Sequence, residues 1–351
     1  MIFRVFPGRD LALLFDIMAV NPIVGPVTAA RAADGKTLYD FAMVTDFAEL
    51  CLDFDQTIHS PKNYFLPYRE QTCAFTVHGQ TWQEENTPPD PALVLFGMHA
   101  CDINALNKLD KVLTAAPYPD LAYQFRRRQM FIIGHACQPT PACFCRSMGA
   151  DYVRHGCDLF LTPMGDDYFV EIMTSRAFHI LENLHVREPR PQELRHFEAL
   201  ANERQSLFTT RVETADLTKI LDLEFDSSVW KVWGERCLSC GTCAQVCPTC
   251  YCYGIEEQVD MDLSGAAKIR QLYSCNLLDF AQVAGGHNFR PESRTRLKYR
   301  YYHKHRGFVE AFEEALCVGC GRCGTNCLAD ITVPAVIASV RQGEVEDERT
   351  G

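Results

Sequence analysis

The sequence has few of the features that mark membrane, exported or nucleotide-binding proteins. No stretch approaches the roughly 18–20 uninterrupted apolar residues that a membrane-spanning helix needs, so no membrane span is expected. The apolar run at residues 11–20 is short, contains Asp16 and lacks a small-residue cleavage site, which argues against export. The glycine-rich fingerprint of a dinucleotide-binding unit and the G-x4-G-K-[ST] phosphate loop are also missing, so no nucleotide site of its own is expected.

An excess of positive charge is missing too, because 34 Lys and Arg residues face 45 Asp and Glu residues and give a net charge of −11. Binding to phosphate depends on Lys and Arg, so a nucleic-acid partner is not expected. Residues 285–306 are a local exception, with one acid, Glu292, and seven basic residues: Arg290, Arg294, Arg296, Lys298, Arg300, Lys304 and Arg306. We interpret this segment as a docking face for an acidic partner or as charge compensation for anionic metal clusters, with His303 and His305 in solvent.

The remaining composition, 351 residues of which 47% are hydrophobic and 23% charged, is that of a globular protein with two or three domains. In the first half, apolar runs of strand length alternate with helical spacing, which predicts a partly parallel sheet with covering helices. Strands are expected at 41–47, 92–98, 130–134, 159–162 and 169–173, and helices at 102–113 and 176–184. Pro88, Pro89 and Pro91 predict an exposed loop, residues 187–233 a helical connector, and a short tail is expected after Val333.

Cysteine is the residue present in unusual number. There are 18 cysteines, and eleven of them lie between Cys237 and Cys327. Disulfides are the first candidate, but the sequence predicts no export, and a chain of this size can bury a core without such cross-links. Metal-bound thiolates in a reducing cytosol are the better interpretation, which predicts a cytoplasmic protein.

Two groups of cysteines share the spacing C-x2-C-x2-C-x3-C. The first run is Cys237, Cys240, Cys243 and Cys247, and the second run is Cys317, Cys320, Cys323 and Cys327. This is the bacterial ferredoxin pattern, in which three thiolates hold one [4Fe-4S] cluster and the fourth, expected at the start of the next helix, reaches the other cluster. It predicts two clusters, one held by Cys237, Cys240, Cys243 and Cys327 and the other by Cys317, Cys320, Cys323 and Cys247.

The residues around the two runs refine this interpretation. Gly241, Gly319 and Gly321 would let main-chain amides approach the cluster sulfides, and Leu328 stands where the first run has Pro248. A zinc ribbon is the alternative, but eight cysteines exceed what one tetrahedral zinc ion can use. The predicted fold class is α+β, with an α/β domain at 1–186, the connector, and a ferredoxin-like domain at 234–351 that has a long insertion between the two runs.

A third group of cysteines lies in the first half. Cys101 and Cys137 each follow a predicted strand, and Cys143 and Cys145 lie in the loop after the second of these strands. Because the carboxyl ends of parallel strands share one edge of a sheet, the four thiols are expected to converge there and to hold a third cluster. Two alternatives are that they are small buried hydrophobic residues, or that they hold a metal with an open position that activates a substrate.

The remaining cysteines divide into two kinds. Cys250, Cys252 and Cys275 could hold a further cluster together with His287, or their S–H groups could tune the potential of a neighbouring cluster. Cys51, Cys73 and Cys157 have no partner at ligand spacing and are expected in the core.

Five segments carry a resemblance to a known family: Phe96-Gly-Met-His-Ala-Cys-Asp-Ile-Asn-Ala105, Cys143-Phe-Cys145, Cys247-Pro-Thr-Cys-Tyr-Cys-Tyr253, Gly285-Gly-His-Asn-Phe-Arg290 and Arg300-Tyr-Tyr-His-Lys304. Together they resemble the beta subunits of cytosolic NiFe sulfhydrogenases and the related electron-transfer subunits of anaerobic sulfite reductases, over about residues 40–341. The resemblance implies an electron-transfer role, without a catalytic centre of its own, between a flavoprotein subunit that meets NAD(P)H and a catalytic partner. The implied partner is the hydrogenase small and large subunits; the alternative is the sirohaem subunit of a sulfite reductase.

Overall fold

The computed structural model describes residues 2–85 and 91–344, and eleven strands in this part of the chain form two sheets. The strands are β1 (Ile2–Pro7), β2 (Ile23–Arg31), β3 (Thr37–Val44), β4 (Arg69–His78), β5 (Thr81–Glu85), β6 (Val94–Met98), β7 (Phe131–His135), β8 (Leu159–Met164), β9 (Asp167–Ile172), β10 (Tyr253–Val259) and β11 (Gly265–Leu272). The large sheet has the order β1-β9-β8-β7-β6-β2-β3. Its centre, β2, β6, β7 and β8, pairs in parallel, and both edges are antiparallel, so the partly parallel sheet expected from the sequence is present.

Helices cover the large sheet and build the C-terminal part. In the described residues they are α1 (Leu11–Met18), α2 (Ala100–Leu113), α3 (Leu121–Gln129), α4 (Ser175–Leu181), α5 (Pro191–Ser206), α6 (Leu217–Leu223), α7 (Val229–Arg236), α8 (Thr242–Gln245), α9 (Ser293–Tyr302), α10 (Phe308–Phe312), α11 (Arg322–Thr325) and α12 (Val333–Gln342). A π-helical turn, His303–Gly307, joins α9 to α10.

The large sheet is buried on both faces. Every residue of β6 and β7 is buried, which their continuous apolar sequences make possible. One face packs against α1 and α4, and the other against α2 and α3. The apolar run near the start forms α1, whose buried residues Leu11, Leu14, Phe15 and Met18 follow helical spacing while Asp16 points to solvent.

The second sheet joins the first half of the chain to the insertion between the cysteine runs. Its order is β10-β11-β4-β5, and the central pairing is between β11 of the insertion and β4 of the first half. Many residues of these strands are exposed or half-buried, so the sheet lies at the surface. A separate core holds α6, α7, α9 and α12 together around Trp230, Trp233 and Leu297.

All five strands expected from the sequence are present, although β3 covers Thr37–Val44 and begins before the expected 41–47. The two expected helices are α2 and α4, and 187–233 contains α5, α6 and most of α7. The tail expected after Val333 is wrong, because α12 packs Val336 and Val340 into the C-terminal core. Pro88 and Pro89 lie outside the described residues, and in the described part of the chain no helix is long and apolar enough to cross a membrane.

Candidate metal centres

The first cysteine run lines an opening together with cysteines of the second run. Cys237, Cys240 and Cys243 surround this opening with Cys323 and Cys327. Cys240 is exposed to solvent, and the other four are half-buried. The structure therefore brings Cys327 to the first run, as the ferredoxin spacing predicts.

Cys247 lies on the side of the second run. Burial raises the pKa of Cys317, Cys320 and Cys323, and the nearby Cys247 adds to the rise in each. The pKa of Cys323 reaches about 12. Arg300, Arg322 and Lys304 oppose this rise, and such cations favour the thiolate form that a metal ligand needs.

The last cysteine of each run is not at the start of a helix, so that expectation is wrong. The short helices α8 and α11 contain the third cysteines, Cys243 and Cys323, and the fourth cysteines follow the helix ends. Both helices begin directly after a glycine with positive φ, which starts the helix earlier than the sequence suggested.

The third group of cysteines converges at the carboxyl edge of the large sheet. β6 and β7 are parallel neighbours, Cys101 lies in the first turn of α2 beyond β6, and Cys137 follows β7. The sulfur atoms of Cys101 and Cys143 are each hydrogen-bonded with that of Cys145, and the bond to Cys145 lowers the pKa of Cys143 to about 6. Cys143 lies close enough to Cys137 to add to the rise in the pKa of Cys137.

Arg204 of α5 is a residue of this third group that the sequence analysis did not identify. Its guanidinium donates to the Cys137 carbonyl at 2.6 Å and to the Cys137 Sγ at 3.5 Å. Burial raises the pKa of Cys137, and Arg204 opposes that rise. A cation at this point favours the thiolate form that a metal ligand needs.

The third group touches the second run directly. The Phe144 amide donates to the Gly319 carbonyl at 2.8 Å, and the Cys145 thiol reaches the same oxygen at 3.3 Å. The Cys143 thiol lies 3.7 Å from the Cys320 carbonyl oxygen. The two loops are therefore in contact, which places the third group next to the second run.

Glycine is needed where these two loops meet, which gives a first prediction. A Cβ at Gly319 would lie 2.5 Å from the Phe144 carbonyl oxygen, one at Gly321 would lie 2.4 Å from that of Ala142, and both φ values are positive. We expect Gly319→Ala and Gly321→Ala each to cost about 1–3 kcal/mol from overpacking and a further ~1–2 kcal/mol from the left-handed backbone. Gly149→Ala is the matched control, because Gly149 also has positive φ but has open space. Anaerobic denaturant unfolding that finds all three variants equally stable would contradict this account.

A buried ion pair connects the second run to the first turn of α2. The Arg322 guanidinium donates to both carboxylate oxygens of Asp102, each at 2.8 Å, and both side chains are about 1% exposed. Arg322 also donates to the carbonyl and the hydroxyl of Thr57, and Asp102 accepts a hydrogen bond from Ser60. The pair positions the loops of both groups of cysteines against the sheet.

Three central residues of the basic segment, Arg296, Arg300 and Lys304, are buried. The interpretation of the segment as a docking face is therefore wrong for these residues. Arg296, Arg300 and Lys304 are 5%, 6% and 4% exposed, and His305 is buried rather than in solvent. Burial lowers the pKa of His305 to about 3. The sequence signal for this burial is the spacing of four residues between the three cations. On a helix this spacing places them on one face, here the inward face of α9 and the following turn. Arg300 and Lys304 lie among the cysteines, which agrees with charge compensation, whereas Arg296 donates to the carbonyls of Asn276, Arg290 and Pro291 and to the hydroxyl of Ser239.

The remaining cysteines separate as two groups. Cys250, Cys252 and Cys275 lie together beside the first run, whereas His287 is exposed and its ring packs against Phe289 at 4.8 Å. The structure does not bring His287 to these thiols. Of the three expected core cysteines, Cys157 is buried against Met173, with 3.4 Å between the sulfur atoms, and Cys51 and Cys73 are half-buried.

The donor sets fit iron–sulfur clusters better than zinc. Around a single zinc ion the ligand sulfurs would stand about 2.3 Å from one common point. In residues 2–85 and 91–344, no three Cys, His, Asp or Glu side chains are arranged to hold such an ion. A cluster is larger and its thiolates surround a wider volume, as the cysteines around the first opening do.

Comparison with known proteins agrees with this donor chemistry. Residues 236–331 match the model of a 4Fe-4S dicluster domain. The chain is 37% identical over 326 residues to the sulfhydrogenase 2 subunit beta of Pyrococcus furiosus, an alignment that covers 92% of this chain and 93% of the relative. No solved structure matches.

Proposed function

The chain belongs to the sulfhydrogenase beta-subunit family, and from this premise we propose that it relays electrons between a flavoprotein subunit that meets NAD(P)H and the NiFe hydrogenase subunits of one cytoplasmic complex. An iron–sulfur electron-transfer role with [4Fe-4S] clusters follows from the family and from the dicluster match. The identity of the partners, the compartment and the number of clusters are what we propose. One-electron transfer is the chemistry that such clusters supply when bound.

The contact between the three groups of cysteines is the observation that carries the proposal. Cys145 of the third group reaches Gly319 of the second run, and Cys323 and Cys327 of the second run line the opening of the first run. We assign Cys101, Cys137, Cys143 and Cys145 to a third cluster on this basis. Three sites in contact form a continuous path through the interior, which suits transfer of electrons from one partner to another.

One end of this path lies at the surface. Cys240 is exposed, and Leu238 and Leu328, which line the same opening, are 62% and 81% exposed. Leu328 is the residue that replaces the proline of the first run. We propose that this face contacts a partner subunit, because an exposed cluster with apolar neighbours allows close approach.

The residues around the third group do not distinguish the hydrogenase partner from the alternative, the sirohaem subunit of a sulfite reductase. In the Phe96–Ala105 segment that carries the resemblance, Asp102 pairs with Arg322, and the Asn104 amide donates to the carbonyls of Ala100 and Tyr152. These roles stabilise the fold around the third group and are neutral about the partner.

The proposal is tested by anaerobic purification of the tagged chain from its source cells together with the subunits it binds. We expect a brown complex whose beta subunit carries roughly eight or more irons, as two four-iron clusters require, and which couples NAD(P)H to hydrogen. NAD(P)H-dependent sulfite reduction without hydrogen chemistry would favour the alternative. A colourless, zinc-containing chain would contradict both.

The same purification tests the proposed contact face. Leu238→Asp combined with Leu328→Asp is expected to lower the yield of one partner subunit, because charge on an apolar contact is costly to bury. Leu263→Asp, at a 70% exposed position in the β10–β11 turn, is the matched control. Equal recovery of partners by all variants would assign the contact to another face.

A further inference from the structure

Cys250, Cys252 and Cys275 meet in the interior although they come from two segments. Cys250 and Cys252 follow the first run directly, whereas Cys275 follows β11 of the insertion. The Tyr273 amide donates to the Cys252 carbonyl at 2.8 Å, which holds the segment of Cys275 against that of Cys252, and Cys250 packs with Cys247. Cys250 and Cys275 are 7% and 5% exposed. The fold thus collects three thiols at a place that the ferredoxin pattern does not explain.

Three buried cations surround these thiols. The Lys62 ammonium donates to the Cys250 carbonyl at 2.8 Å and to the Cys247 carbonyl at 3.0 Å. The Arg300 guanidinium donates to the Cys250 Sγ at 3.3 Å, and Lys304 donates to the hydroxyl of the neighbouring Thr249 at 2.8 Å. Lys62, Arg300 and Lys304 are 2%, 6% and 4% exposed.

The charge of these cations needs a negative partner. Among the described residues, no Asp or Glu carboxylate forms an ion pair with Lys62, Arg300 or Lys304, and the contacts that they make are to carbonyls, a hydroxyl and a sulfur atom. Buried charges are retained in proteins when they are paired or hydrogen-bonded, and an unpaired cation in the interior is costly. Sulfur is the acceptor at this site that can carry a negative charge, and Arg300 contacts it directly.

The contacts show which sulfur atoms are involved. The Arg300 guanidinium lies on the Cys250 Sγ itself, and the Lys62 ammonium lies against the main chain at Cys247 and Cys250. These cations are therefore placed at Cys250 as well as at the last cysteine of the first run. The expected core cysteine Cys157 differs, because its thiol contacts the sulfur of Met173.

We propose that Cys250, Cys252 and Cys275 are the cysteine ligands of a further iron–sulfur cluster, separate from the clusters assigned to the two runs and to the third group. Three thiolates leave one position of the cluster to a donor other than cysteine. Lys62, Arg300 and Lys304 would compensate its negative charge. The inference extends the proposed relay and rests on the chain being an iron–sulfur protein, but it does not depend on which catalytic partner the chain serves.

The test compares the iron and labile sulfide content of the anaerobically purified complex with that of its Cys252→Ala and Cys275→Ala variants. We expect each variant to lose about three to four irons per beta subunit, the content of one cluster, and one set of EPR signals in the reduced complex. The signals of the two ferredoxin-type clusters should remain. Cys157→Ala is the matched control and should keep the full iron content.

Unchanged iron in Cys252→Ala would overturn the inference, even if the signal of a neighbouring cluster shifted, because that result assigns the thiols a tuning role. Cys252 is half-buried, so its variant decides the matter if Cys275→Ala does not accumulate. A parent complex without iron and sulfide would instead overturn the proposed function, so the two failures are distinguishable.

Discussion

Replacement of Cys247 by alanine is expected to remove the same cluster as replacement of Cys320, although the two residues belong to different runs. The reason is that Cys247 lies among Cys317, Cys320 and Cys323, and its nearby charge raises the pKa of each of these thiols. Conversely, Cys327→Ala and Cys237→Ala should remove the other cluster, since both residues line the first opening. Each loss removes about four irons and interrupts the relay, so electron transfer through the chain should stop.

EPR spectra of the reduced complex decide this pairing. Cys247→Ala and Cys320→Ala should lack one common set of signals, and Cys327→Ala and Cys237→Ala should lack another. Cys73→Ala, at a half-buried cysteine of β4, is the control and should show both sets. If Cys247→Ala kept the signals missing in Cys320→Ala and lost those missing in Cys252→Ala, then Cys247 would belong with Cys250, to which its sulfur is hydrogen-bonded.

The cysteine groups could be predicted from the sequence because their chemistry is local or follows a general rule of sheets. The ferredoxin pattern places three thiolates of one cluster in one short loop, so the spacing of each run is sufficient for the prediction. Cys101 and Cys137 could be placed together because parallel strands end at one edge. The position of each last cysteine was predicted less well, since the glycine before α8 and α11 moves the helix start by a few residues.

The cations around the cysteines could not be predicted in the same way. Lys62 contacts Cys247, which is 185 positions away in the sequence, and Arg204 contacts Cys137, which is 67 positions away. No local pattern encodes such contacts. Arg296, Arg300 and Lys304 were visible as a dense basic segment, but density of charge normally indicates an exposed surface. They are buried instead, because main-chain carbonyls, hydroxyls and a cysteine sulfur accept their hydrogen bonds in the interior.

The second sheet was missed for a related reason. β5 is fully exposed, and β10 and β11 belong to an insertion whose partner strand, β4, lies almost two hundred residues earlier. Strands that are exposed or half-buried lack the continuous apolar pattern by which β6 and β7 were recognised. Their pairing depends on contacts between distant parts of the chain, and a single sequence contains little information about those.

Loss of the buried ion pair is expected to destabilise the protein more than any surface change. Asp102→Ala leaves the Arg322 guanidinium buried at 1% exposure without its carboxylate. Arg322→Ala leaves the Asp102 carboxylate buried at 1% exposure without its guanidinium. Breaking a buried pair by removing one partner typically costs about 3–5 kcal/mol. Because Asp102 follows Cys101 and Arg322 precedes Cys323, we also expect the second-run and third clusters to be lost sooner during unfolding.

Anaerobic guanidinium titration followed by circular dichroism and by the visible absorbance of the clusters measures this effect. The double variant Asp102→Leu/Arg322→Met removes both charges and should recover much of the loss, because it leaves no uncompensated ion. Lys219→Ala breaks an exposed pair with Asp216 and should leave the midpoint unchanged, since solvent screens such pairs. A single variant that unfolds at the parent's denaturant concentration would show that water or another group replaces the missing partner, and that the pair does not hold the two loops together.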